Sequence, residues 1–206
     1  GRAWWPQIAG SDRKACLVWQ KFVPKRLYAD LYFALYDPAT RKLSKGVTLL
    51  QHQQLYYHYS VVYVPAISRF LIVATKDAGS GVNTGRRSGG GAAWLVDNGG
   101  NVTAHRLFFD GIIRESSIIV NDNTAVIARL KAGASVFGSH SEQGAIGGLT
   151  VLYLTPSAIN VSQTIEDDYA WQYMGFDGFF SDATHVYTAV LSKDGIRSKI
   201  YTINKH

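Results

Sequence analysis

Cysteine is nearly missing from this chain. Cys16 is the single thiol in 206 residues, so no internal disulfide can form. With Ala15, Leu17 and Val18 beside it, Cys16 reads as a small buried strand hydrophobe rather than a nucleophile or metal ligand, although a bridge to another chain stays open. Glutamate is scarce as well: three of the fifteen acids are Glu (Glu115, Glu142, Glu166), a bias that suits strands, from which Glu is depleted. No run of about 18 uncharged apolar residues exists, which excludes a membrane-spanning helix. The opening GRAWWPQIAG is not built like a signal peptide either, so the chain reads as mature and soluble or peripheral. Its first residue is Gly rather than Met, which leaves room for residues removed ahead of it. Charged residues make up only 17% against 47% hydrophobic ones, a balance that excludes disorder and is enough for one well-packed domain or a closely coupled repeat array.

What the chain does contain is aromatic residues and glycine: twelve Tyr, nine Phe, five Trp and twenty Gly, a composition of aromatic strands and Gly-rich loops. The formal net charge is +6. Such a balance suits anionic glycans or acidic surfaces. The basic residues are scattered, however. The densest pairs are Lys25 with Arg26, Arg41 with Lys42 and Arg86 with Arg87, and without a basic block or basic helix a dedicated nucleic-acid binder is disfavoured.

The sequence repeats. Segments 15–21 (ACLVWQK), 70–76 (FLIVATK), 125–131 (AVIARLK) and 187–193 (YTAVLSK) have the same form, and their lysines stand 55, 55 and 62 residues apart. Before the last three comes a short strand and a polar turn: 60–64, 117–120 and 178–180. After each lysine come a loop and a third strand (29–36, 92–96, 149–154 and 199–203), then a turn and a fourth strand (47–50, 102–108 and 159–165). Four-stranded units of about 50 residues are the blades of a β-propeller. The expected fold is therefore all-β, with blades near 4–51, 56–109, 115–166 and 171–206. A β-sandwich or a trefoil accounts less well for four matched strands. Residues 4–8 supply one strand, either the first of blade 1 or the missing fourth of blade 4, and one edge stays open. Either this is a compact four-bladed ring or it is part of a seven- or eight-bladed one.

Segments 63–73 (YVPAISRFLIV) and 16–20 (CLVWQ) with 29–37 (ADLYFALYD) resemble the repeat of extracellular β-propellers of archaea and bacteria. The resemblance covers most of blades 1 and 2, weakens in blade 3 and is partial in blade 4. It implies a propeller fold and exposure outside the cell or at its surface, and no activity.

Lys21, Lys76, Lys131 and Lys193 follow the second strand of each unit, where a ring of ammonium groups could hold a phosphate, a uronate or a carboxylate-rich partner. Two long loops begin there: 77–91, with Arg86 and Arg87 ahead of three glycines, and 132–148, with Phe137, His140 and Glu142. Loops of about 15 residues are uncommon unless functional or mobile. Neither matches a phosphate-binding loop opening a helix. Trp4, Trp5, Tyr56, Tyr57, Tyr59 and Trp171 are candidates for stacking on sugars because they flank strands.

Signatures of catalysis are weak. There is no G-x-S-x-G or H-E-x-x-H, and the six histidines are dispersed. Asp167 and Asp168 with Asp177 are the candidate carboxylate pair of a glycosidase, although acid pairs beside turns are normally solvated caps. Residues 121–123 (NDN) supply too few oxygens for calcium and read as a turn. Asn101 and Asn160 open glycosylation sequons at matched fourth strands. The expectation is thus a non-catalytic extracellular or surface module without cofactor or metal. Lys21, Lys76, Lys131, Lys193, Arg86, Arg87, His140 and Trp171 are its candidate ligand contacts, and another chain or a second copy completes it. A carbohydrate-binding lectin is the alternative, and a propeller glycosidase or lyase comes third.

Overall fold

The computed structural model describes residues 3–22, 29–53, 59–77, 88–109, 118–130, 146–166, 179–192 and 195–204. Apart from one 3-10 turn, Pro65–Ile67, their regular structure is entirely strand. The first sheet holds β1 (Ala3–Gly10), β2 (Ala15–Phe22), β3 (Ala29–Asp37), the short β4 (Lys42–Leu43) paired to β3, and β5 (Val47–Gln53). The second is the antiparallel meander β6 (Tyr59–Val64), β7 (Arg69–Asp77), β8 (Ser88–Val96) and β9 (Val102–Phe109). A single residue pair, Gln53 with Lys76, joins these two sheets. The third is β10 (Ile118–Asn121), β11 (Thr124–Leu130), β12 (Ile146–Thr155) and β13 (Ala158–Glu166), and the last is β14 (Phe179–Ser181), β15 (His185–Ser192) and β16 (Gly195–Thr202). Residues 4–8 fall in β1, which pairs with β2 and so is the first strand of the first sheet. Among the described residues the last sheet has three strands.

The alternation within each strand decides how the sheets pack. In β7, Phe70, Ile72 and Ala74 face the first sheet and meet Cys16, Val18, Leu31 and Phe33 in one core cluster. The residues between them, Leu71 and Val73, face the other way and pack on Ala125, Ile127, Leu152 and Leu154 of the third sheet. There the pattern repeats, with Val126, Ala128, Leu149 and Val151 reaching Val186 and Tyr201 of the last sheet. The second and third sheets are thus buried on both faces, which is why their strands read as near-continuous apolar runs. Four layers in chain order, with a core in each gap, replace the two-layer sandwich considered as an alternative.

The first strands of successive sheets lie side by side: β1 next to β6, β6 next to β10, and β10 next to β14. Between the first two sheets this contact is hydrogen-bonded. Gln7 Nε2 donates to Tyr59 O at 2.7 Å, and the Tyr59 hydroxyl donates to the Trp5 carbonyl. Tyr59 is fully buried inside β6 and Trp5 packs on the same core, so these two rings are structural and not free sugar platforms. Both Trp4 and Trp5 lie within β1, at a register shift between Trp4 and Gln7 where Pro6 interrupts the ladder and Trp5 takes φ 45.

Two further expectations need correcting. Residues 89–91 belong to β8 and Gly148 to β12, because their backbones pair with neighbouring strands (Gly91 with Phe109, Gly148 with Glu166); these glycines are ladder residues, not loop. The fourth repeat is also shifted by one. In β7 and β11 the residue six before the lysine, Phe70 or Ala125, faces the preceding sheet, but in β15 it is Val186, seven before Lys193, that does so. Ser192, not Lys193, therefore holds the position equivalent to Lys21 and Lys76, since a one-residue shift exchanges the faces of a strand.

Candidate ligand-binding rim

Two of the second strands, β2 and β7, carry their lysines to one end of the stack: Lys21 is the next-to-last residue of β2 and Lys76 the next-to-last of β7. At the opposite end lie the tight turns that join first strands to second strands. Lys131, Lys193, Arg86, Arg87, His140 and Trp171 lie outside the described residues, as do Tyr56, Tyr57, Asp167, Asp168 and Asp177. Lys21 and Lys76 are the two candidate contacts whose surroundings are defined.

Lys21 is exposed. Its ammonium sits 5.8 Å from the centroid of the Tyr32 ring, and that ring stacks on Trp19 with centroids 5.8 Å apart. Asp30 is its partner across the ladder to β3. A cation over an exposed ring is stabilised by about 0.5–1 kcal/mol, too little to immobilise it against a competing anion. Lys76 is half-buried and stands across from Gln53. Beneath them Gln20 Nε2 donates to Gln53 Oε1 at 2.7 Å, and both amides are fully buried. The rim between the first two sheets is thus a fixed polar floor with an ammonium beside it.

That ammonium is felt along the second sheet. His105 stacks on Trp94 with centroids 5.1 Å apart, and its basicity is depressed, first by partial desolvation and then by the Lys76 charge. A depressed histidine binds its proton less readily folded than unfolded, so stability is fully present above about pH 6.5 and falls as pH drops below it toward the lowered folded value. Lys76→Ala should raise the His105 midpoint toward 6.5 in an NMR titration; a midpoint that stays put would show that the lysine field does not reach it.

The turns at the other end are locked by aspartates. Lys14 Nζ lies 2.6 Å from Asp37, and this hydrogen bond together with the Ala39 and Thr40 amides holds the carboxyl down at about 2. Asp182 accepts from the Tyr187 hydroxyl and from the Thr184 and His185 amides, which pull it well below the usual carboxylate range and push Tyr187 up. Asp97 is lowered in spite of some burial, by Asn101 and the Gly99 amide with help from Arg69. Residues 121–123 form the expected turn, with Asp122 at φ 52. Between that turn and Ser181–Asp182 lies a cleft of about 150 Å³. Cys16 is buried and its thiol pushed up to about 12, as an inert core cysteine should be. Among the described residues no three His, Cys, Asp or Glu side chains come together as a metal site.

Against protein-family models and curated proteins the sequence has no match. Among solved structures, the chain is similar to the alpha-L-arabinofuranosidase PaAbf62A from Podospora anserina in complex with cellotriose, at 11% identity and a TM-score of 0.41 over 96% of this chain and 62% of that one. It is also similar to the Pyrococcus horikoshii acylaminoacyl peptidase, at 10% identity and a TM-score of 0.29 over 100% of this chain and 46% of that one. The chain therefore spans less than two thirds of either neighbour. At these scores neither lends this chain a fold, an activity or a substrate.

The Gln20–Gln53 pair and the Trp94–His105 stack escaped the sequence reading. Gln20 could have been noticed, since it sits on the buried face of β2 in phase with Cys16 and Val18. Nothing in the sequence pairs it with Gln53, which lies two strands away.

Proposed function

We propose that this chain is a non-catalytic β-propeller module, displayed outside the cell or on its surface, that binds an anionic ligand or an acidic partner protein at the rim where its second strands end. The sheets are read as blades, a reading supported by their order of packing and by the side-by-side first strands, which a radial arrangement requires. The repeat-level resemblance to extracellular propellers supports the location.

One observation carries the ligand class. Lys21 and Lys76 emerge at the same end of equivalent strands, Lys21 exposed and Lys76 half-buried beside the buried Gln20–Gln53 amide pair. Hydrated ammonium groups at the end of a fixed scaffold attract anions with a strong dependence on ionic strength, since the Debye length is about 8 Å at physiological salt. The test is binding to a sulfated polysaccharide as a probe, across a salt series. Lys21→Ala with Lys76→Ala should lower affinity roughly fivefold, as expected for losing about 1 kcal/mol of exposed charge interaction. The double variant should also flatten the salt dependence. Equal affinity at every salt concentration would remove the rim from consideration.

A further inference from the structure

The cleft between the third and last sheets has a floor, two walls and one unpaired group. Ser181, the last residue of β14, shares a ladder row with Val186 and Tyr201, and those two pack on the third sheet, so its side chain faces the gap. It is 9% exposed, and among the described residues its hydroxyl has no hydrogen-bond partner. A buried hydroxyl left unpaired is destabilising, and one that lines a cleft of about 150 Å³ is placed to be paired by what enters. The floor is apolar, with Val126 and Ile203 both buried. One wall is the turn from β10 to β11 with Asn121, Asp122 and Asn123, and the other is the turn from β14 to β15 with Asp182 and Ala183. Backbone hydrogen bonds pin both walls: Leu154 N donates to Asn123 O at 2.8 Å, and Asp182 N donates to His185 O at 3.0 Å. The cleft is therefore preformed, and a ligand loses little free energy in ordering it.

We propose that this cleft binds one neutral sugar unit, with the Ser181 hydroxyl bonded to a hydroxyl of the sugar. The chemistry of the lining selects the class. It holds two carboxylates, Asp122 and Asp182, and no lysine, arginine or histidine, so phosphates, sulfates and uronates are repelled. A divalent cation is poorly served as well. Asp182 is occupied by its own turn, where it accepts from the Thr184 and His185 amides and the Tyr187 hydroxyl, each at 2.7 Å, and too few oxygens remain for the roughly six to eight that calcium takes. Sugar hydroxyls both donate and accept, which suits an unpaired serine hydroxyl, two asparagine amides and a carboxylate at the mouth. The apolar C–H face of a pyranose suits the Val126 and Ile203 floor, with Tyr153 at its side. A cavity of this volume takes about one benzene-sized ring, so a second sugar unit projects past Asp122 and Ala183, both exposed, into solvent. The site lies at the end of the stack opposite Lys21 and Lys76 and does not rest on the anion reading of that rim.

The experiment is an amide NMR titration of the full chain with the methyl glycosides of glucose, galactose, mannose, fucose, xylose and N-acetylglucosamine. At least one should move the Asn123, Ser181 and Asp182 amides and saturate with a Kd of about 1–10 mM, as for a small ligand held by few hydrogen bonds, while the Lys21 and Lys76 amides stay in place. Ser181→Ala should weaken that glycoside about tenfold, the loss of one hydrogen bond. The same variant should melt no lower than wild type, because the hydroxyl it removes makes no bond within the protein. Ala183→Leu, a change at the exposed mouth, should also weaken binding with melting unchanged. The proposal is overturned if none of these glycosides moves the three amides up to about 100 mM, if Ser181→Ala binds as wild type does, or if calcium chloride moves the amides and the glycosides do not. A Ser181→Ala variant that melts well below wild type overturns it too, since the hydroxyl would then be bonded inside the protein. Binding of the sulfated polysaccharide should be equal in Ser181→Ala and wild type, so the cleft and the lysine rim stand or fall separately.

Discussion

Gly148→Ala should be among the most damaging single-atom changes in the protein. Gly148 sits in β12 between Arg129 of β11 and Glu166 of β13, with φ at +126, a region that L side chains rarely adopt. A Cβ built there would lie 1.7 Å from the Ile165 carbonyl oxygen and 2.8 Å from its carbon. Both are backbone atoms in a paired strand, so no side chain can swing aside; β13 must move off β12 or the residue must leave its conformation. Either response breaks ladder bonds in a sheet whose two faces are both core. A strained φ alone costs about 1–3 kcal/mol. With the clash added, a loss of about 3 kcal/mol or more is expected, which is a large part of the roughly 5–15 kcal/mol that stabilises a typical domain. By thermal melting, a chain of this size should lose roughly 6–12 °C. Gly10→Ala is the control, because nothing lies within 4 Å of a Cβ there, and it should change stability by less than about 0.5 kcal/mol. Equal melting temperatures for the two variants would mean that the register of β12 on β13 is not the one described.

Gly148 also shows where the sequence could be read and where it could not. Strands with a strong apolar pattern announce themselves. Residues 15–21 and 70–76 lie in β2 and β7, and the spacing of 55 between their lysines matches the way the sheets face one another. Glycine runs do not announce themselves as strand. Residues 89–91 and 148 have no side chain to show a period, so they read as loop, while the structure pairs them because a backbone without Cβ lets a neighbouring strand approach. The lysine match failed at the fourth repeat for a related reason. A terminal lysine marks where a strand ends but not which face its predecessors take; facing is set by burial, and Val186 carries that information. Tyr59 was misread as a flanking ring because its partners, the Gln7 amide and the Trp5 carbonyl, are more than fifty residues away. The lysine rim was legible as strand ends. Its polar floor was not, since contacts between Gln20 and Gln53 arise only from the pairing order of β2, β3 and β5.

Leu71→Ala and Ile72→Ala are expected to cost about the same, roughly 2–5 kcal/mol each. The two residues are neighbours in β7 and both are fully buried, yet they belong to different cores: Ile72 packs toward Phe33 and Leu31 of the first sheet, and Leu71 toward Ile127 and Leu152 of the third. In a two-layer sandwich one of two adjacent strand residues faces water, and its truncation is close to neutral. Here both truncations open a cavity between packed sheets, where the surroundings collapse only in part and the lost contacts add to the lost transfer free energy. Leu107 on β9 provides the contrast, since it is 55% exposed and Leu107→Ala should stay within about 0.5 kcal/mol of wild type. Urea unfolding of the three variants distinguishes the arrangements. Two large losses and one small one require a middle sheet sealed on both sides, which is what a blade between two other blades must be. A large loss at only one of the two neighbours would leave β7 with a solvated face, and with it would go the stack of four sheets.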